Sequence, residues 1–96
     1  MSYVPTQEDL EWTQNAIQGI STWAAPSIGC VIKIDHENKE FLTFMKMDPT
    51  ELETFNVEKI VTNLNYLGFT EVGSYIIGGA NSVDDILAAL ETVDRE

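Results

Sequence analysis

The chain has a single cysteine, Cys30, and a single histidine, His36, so any site that uses a thiol or an imidazole must be built around them. A thiol nucleophile needs its base in contact. Cys30 falls inside a predicted strand and His36 just past its end, which holds them apart. A cysteine in an apolar strand serves as a small hydrophobe, and a reactive thiolate needs positive surroundings that this chain does not offer. Asp35, His36, Glu37 and Glu40 crowd one loop and present oxygen and nitrogen donors. Their spacing matches neither a structural zinc site nor a calcium loop. Nothing marks a serine partner for the histidine, and the acids are too many and too alike to define a catalytic pair. The expectation is a protein without enzymatic activity, bound metal or cofactor.

One further motif has chemical potential. Gly78-Gly79-Ala80-Asn81-Ser82 joins a predicted strand to a predicted helix, where glycines can free backbone N–H groups for an anion. The spacing matches neither a Walker loop nor the dinucleotide fingerprint. Asp84 and Asp85 already occupy the positive end of that helix and would repel a phosphate. A tight turn followed by a helix cap is the simpler reading.

The same stretch, Tyr75-Ile76-Ile77-Gly78-Gly79 followed by Asp84-Asp85-Ile86-Leu87-Ala88-Ala89-Leu90, resembles the end of a glutaredoxin: a strand, a Gly-Gly pair and an acid-started helix in that order. The resemblance spans residues 75–90 and implies a relative of the thioredoxin fold without redox cysteines, able to bind a small molecule. The remainder departs from that family, with no Cys-x-x-Cys pair and Cys30 in a strand rather than at a helix start.

The elements that position these residues follow from periodicity and caps. Thr6 can cap a helix with Glu8 and Asp9 in its first turn, and Leu10, Ala16, Ile17 and Ile20 recur at helical spacing. Thr13 interrupts that stripe, Gly19 ends it, and Trp23 to Pro26 reads as an irregular connection. Ser27 to Ile34 alternates as a strand with Ile28, Cys30, Ile32 and Ile34 on one face. A short polar loop leads to a second strand, Glu40 to Met47, apolar on both faces. Asp48-Pro49-Thr50-Glu51 reads as a helix start with an acidic cap, and Leu52, Phe55, Ile60, Leu64 and Leu67 as the helix's apolar stripe, stopped at Gly68. Thr70 to Ile77 is a third strand, weakened by Gly73. Ser82 caps a last helix with Asp85 closing a capping box, and Val83, Ile86, Leu87, Leu90 and Val93 form its stripe.

This order, α-β-β-α-β-α, predicts a single α+β domain over residues 1–96. The expected sheet has three mostly antiparallel strands with the helices packed on one face; a parallel crossover into the third strand is the alternative.

Composition constrains the partner. Sixteen acids oppose five Lys and Arg, a formal charge of -11, which excludes direct binding to a nucleic-acid backbone. The apolar runs are too short to span a bilayer, the helices carry acids where a membrane surface would want Lys and Arg, and the N-terminal residues lack the pattern of a signal peptide. With one cysteine, a cytoplasmic setting is expected. Four of the five basic residues lie between Lys33 and Lys59, so the terminal thirds are the negative ones. If the first and last helices are neighbours, Glu8, Asp9, Glu11, Asp84, Asp85, Glu91 and Asp94 would share an acidic face, with Trp12 or the Met45/Met47 end of the second strand as the apolar anchor. The reading is a small acidic adaptor or inhibitor that binds a protein with a basic surface, one form of which is a nucleic-acid mimic, or that self-associates. The alternative is a small-molecule or metal-binding domain with its site at the Gly78-Gly79 turn or the His36 loop, one form of which is the thioredoxin-fold relative that the glutaredoxin-like end implies.

Overall fold

The computed structural model describes residues 3–94, with side chains as far as residue 91. Helix α1 (Gln7–Ile17) is followed by strand β1 (Thr22–Ala25), a 3-10 turn (Pro26–Ile28), strands β2 (Cys30–Asp35) and β3 (Glu40–Lys46), helix α2 (Glu51–Tyr66), strand β4 (Thr70–Ile77) and helix α3 (Val83–Asp94). The α+β class and the order of the larger elements agree with expectation. The sheet does not: it has four strands in the order β1-β2-β3-β4, and it is mixed.

Two local features account for the extra strand. Trp23 and its neighbours, expected to be irregular, pair antiparallel with β2, Thr22 opposite Lys33 and Ala25 opposite Cys30. The run expected as one strand from Ser27 starts instead at Cys30, because Pro26 opens a 3-10 turn that Gly29 closes at φ 67°. A Cβ at Gly29 would also lie 2.6 Å from a carboxylate oxygen of Glu53, so a larger residue would have to displace that side chain. β2 and β3 form the expected hairpin, Asp35 opposite Glu40. Asp35 holds its loop by accepting from the backbone N–H of Asn38 at 3.1 Å and from its side-chain amide at 2.8 Å.

β4 runs parallel to β3, Glu40 opposite Thr70 and Lys46 opposite Ile77, with an irregularity beside Phe41 and Leu42. α2 makes the crossover and packs on the same face as α1. Cys30, Ile32, Ile34 and Phe41 of the sheet meet Ile17 of α1 and Val57, Ile60 and Leu64 of α2 there. α3 lies on the opposite face, where Val31 meets Val83, Ile86 and Leu90, with Phe44 and Ile77 alongside. The helices therefore cover both faces rather than one, and the two-sided apolar character of the second predicted strand is explained: β3 is covered on both sides.

The helix caps are mostly where expected. Thr6 Oγ1 accepts from the Asp9 backbone N–H at 3.1 Å while the Asp9 carboxylate accepts from Thr6 N–H at 3.0 Å. α2 begins two residues later than expected, with Thr50 rather than Asp48 as cap and Glu53 closing the box at 2.8 Å. Asp48 instead takes φ 53°, a left-handed conformation that Asp tolerates, to turn the chain out of β3. In α3, Ser82 Oγ accepts from Asp85 N–H at 3.3 Å, but the Asp85 carboxylate reaches the N–H of Asn81, one residue before the cap.

α1 and α2 are joined by a buried polar contact. Thr13 is fully buried; its hydroxyl donates to the Asp9 carbonyl at 2.9 Å and accepts from the Asn63 side-chain amide at 3.0 Å. The Tyr3 hydroxyl sits 2.8 Å from Asn63 Oδ1 and 3.1 Å from Asp9 Oδ2, its one hydrogen serving either.

Candidate protein-binding edge

The sheet has two edges, and they differ. β1 is four residues long, is followed by Pro26, and has Trp23 packed edge-on against Trp12 of α1 with ring centroids 5.9 Å apart. Short strands and proline are ordinary ways to blunt an edge. β4 is eight residues long and contains no Pro, Lys or Arg, and Glu71 is its one charge. Val72, Tyr75 and Ile76 are 51%, 51% and 65% exposed. The irregularity near Val72 twists the start of the strand and leaves Gly73 to Ile77 as its regular part. β4 ends the sheet, so among the described residues its outer side has no paired strand.

The two faces of this edge are built differently. On the α3 side, Tyr75 stacks on Phe44 with centroids 5.5 Å apart and planes at 22°. Its ring also folds over Gly73, whose imagined Cβ would lie 2.7 Å from it. Gly73, read from sequence as a weakness in the strand, is the space the ring occupies. On the α2 side the sheet is buried under the helices as far as Phe41 and Ile32 and open beside β4. A groove of about 470 Å³ runs between α2 and β4, floored by Met45, Val57 and Val61 and rimmed by Glu58 and Glu71. The Glu71 carboxylate is held over the sheet by the Thr43 hydroxyl, which donates to it at 3.0 Å. No lysine or arginine lines this groove.

Near the same end of α2, Leu52 and Phe55 were expected in the apolar stripe but are 66% and 49% exposed. The buried apolar positions are Val57, Ile60 and Leu64, with Asn63 buried beside them, so the stripe begins a turn later than expected. Lys59 Nζ lies 5.6 Å from the Phe55 ring, a cation–π contact at the surface.

The acidic residues expected to form one face are divided between the two sides of the sheet, α1 on one and α3 on the other. Glu8, Glu11 and Trp12 are exposed on α1 and Asp84, Asp85 and Glu91 on α3. The Asp94 side chain lies outside the described residues. Asp9 and Asp85 hold helix starts, and the two backbone and side-chain hydrogen bonds from Thr6 keep the Asp9 carboxyl below its ordinary range. Trp12 is engaged with Trp23.

Cys30 is fully buried, and burial pushes its thiol up to about 12, which keeps it protonated and inert. His36 Nε2 lies 2.7 Å from the Ile20 carbonyl oxygen; since a carbonyl only accepts, that nitrogen carries the hydrogen. The Phe69 ring meets His36 edge-on at 5.7 Å and carries Lys39 Nζ 4.8 Å above its face, beside an open polar cleft of about 410 Å³. A smaller cleft lies at the carboxyl ends of β3 and β4, where α2 and α3 depart to opposite faces. There Lys46 pairs with Glu53 at 3.1 Å, so its one lysine is already neutralised. Among the described residues no three His, Cys, Asp or Glu side chains converge as a metal site would require. No helix of the described residues is long and apolar enough to cross a membrane.

No family model, curated protein or solved structure matches this chain.

Proposed function

We propose that the protein is a binding module for another protein, and that it accepts an extended strand of that partner along the free side of β4. The carrying observation is the contrast between the edges: β1 is short and closed by Pro26, while β4 exposes Val72, Tyr75 and Ile76 along eight residues with no edge-blocking cation or proline. Strand addition derives affinity from main-chain hydrogen bonds and selectivity from pockets for alternate side chains. The formal charge of -11 favours a basic partner over a second copy of this chain, because two copies repel while a basic segment is steered inward. The acids of α1 and α3 then act as a surrounding field rather than as a contact face.

The test uses Ile76→Lys. Its side chain is largely exposed, so stability should change by about 0.5 kcal/mol or less, while a lysine on the edge blocks pairing. Extract proteins are captured on the native chain and on the variant, identified, and their binding remeasured with purified material. A basic protein held by the native chain and lost with the variant supports the reading. Equal binding by both removes β4 from it.

A further inference from the structure

We infer that the groove between α2 and β4 receives one arginine or lysine side chain from the added strand, so the partner segment is an extended apolar stretch with a single basic residue facing α2. This rests on the strand-addition reading and goes beyond it by assigning a side-chain pocket. A strand added beyond β4 lies about 4.8 Å out from it and places alternate side chains over the α2-side face of the sheet. The groove opens on that face.

Its chemistry suits a long cationic side chain. Met45, Val57 and Val61 provide an apolar floor for the methylene stem, the part such residues bury while the charged head stays at the rim. Glu58 and Glu71 stand at that rim. Glu71 is half-buried and pinned at 3.0 Å by the hydroxyl of Thr43, itself fully buried, so its carboxylate is preorganised over the groove. Thr54, Thr62 and Ser74 complete a lining with no cation of its own. An acidic side chain would meet two carboxylates there, and a purely apolar one would leave them without a counter-charge. On the opposite face the stacked Tyr75 offers a flat apolar platform, so the neighbouring residues of the added strand should be apolar or aromatic.

The test titrates the isotope-labelled full chain with four capped peptides of alternating Thr and Val, followed by backbone amide shifts. Their central residue is Arg, Leu, Glu, or Arg flanked by two prolines. The expected result is shifts along Gly73 to Ile77, with the Arg peptide binding about tenfold more tightly than the Leu peptide and the Glu peptide weakest. In Glu58→Gln/Glu71→Gln the Arg preference should vanish while Leu-peptide binding persists, which separates loss of the pocket from loss of the fold. If Arg, Leu and Glu peptides bind β4 equally, the pocket assignment fails and strand addition stands. If the proline-flanked peptide binds as well as the others, or none shifts β4, both readings fall. A concentration-dependent dimer abolished by Ile76→Lys and indifferent to peptide would assign the edge to a second copy and overturn the pocket.

Discussion

Thr13 breaks the apolar spacing of α1, and its burial explains why: its hydroxyl, Asn63 and Tyr3 form the polar contact between α1 and α2. Replacing Thr13 by Val leaves the Asn63 amide without its acceptor in a buried site, which should cost about 1–3 kcal/mol in denaturant unfolding. Thr13→Val with Asn63→Leu should cost less than the sum of the two single changes, since the double variant buries no unmatched polar group. Cys30 reports on the packing of β2. With its thiol raised to about 12 and its side chain buried, it should react slowly with a disulfide reagent in the native protein and fast once unfolded. Fast native reaction would contradict the packing of β2.

The helix starts are the elements whose energetics are most local. Thr6→Ala and Thr50→Ala should each cost about 0.5–2 kcal/mol, the usual value of an N-cap. The paired acids add a pH dependence. Backbone hydrogen bonds from Thr6 and Thr50 hold the Asp9 and Glu53 carboxyls low, Lys46 also contributing at Glu53. A carboxyl depressed in the folded state stabilises it above the unfolded-state value, and that contribution is lost as pH falls through the folded value. The melting temperature should therefore drop below about pH 4, with a shallower acid limb in Asp9→Asn. The turn before β2 is as demanding. Gly29→Ala should cost about 1–2 kcal/mol from the left-handed backbone alone and more from displacing Glu53 away from Lys46. The later start of α2 follows from the same chemistry: Thr50 and Glu53 satisfy each other reciprocally, while Asp48 is needed to turn the chain after β3.

At the scale of the whole molecule, eleven uncompensated negative charges are distributed over both faces of one sheet, and their mutual repulsion opposes the compact state. Raising salt from about 10 mM to about 200 mM at neutral pH should raise the melting temperature, because screening shortens the range of that repulsion. On the strand-addition proposal, the same change should weaken capture of a basic partner. What the sequence determined by itself was the local part of this protein: the class, most element positions, the Thr6 cap, the stop at Gly68 and the Cys30, Ile32 and Ile34 face of β2, since each depends on residues within a turn or a pleat of one another; that Val31 on the other face is buried too was not legible. Even β4 was legible as a strand, Thr70 to Ile77. Its place at an open edge was not, nor was the groove beside it, because strand order depends on which distant backbones pair. Thr13 and Asn63 lie fifty residues apart, and nothing near either residue announces the contact. The crossover through α2 set β4 parallel to β3, sent α3 to the opposite face and thereby divided the acids of α1 from those of α3. Only tertiary packing decided these points, since burying apolar residues on both sides of β2 and β3 requires helices on both faces of the sheet.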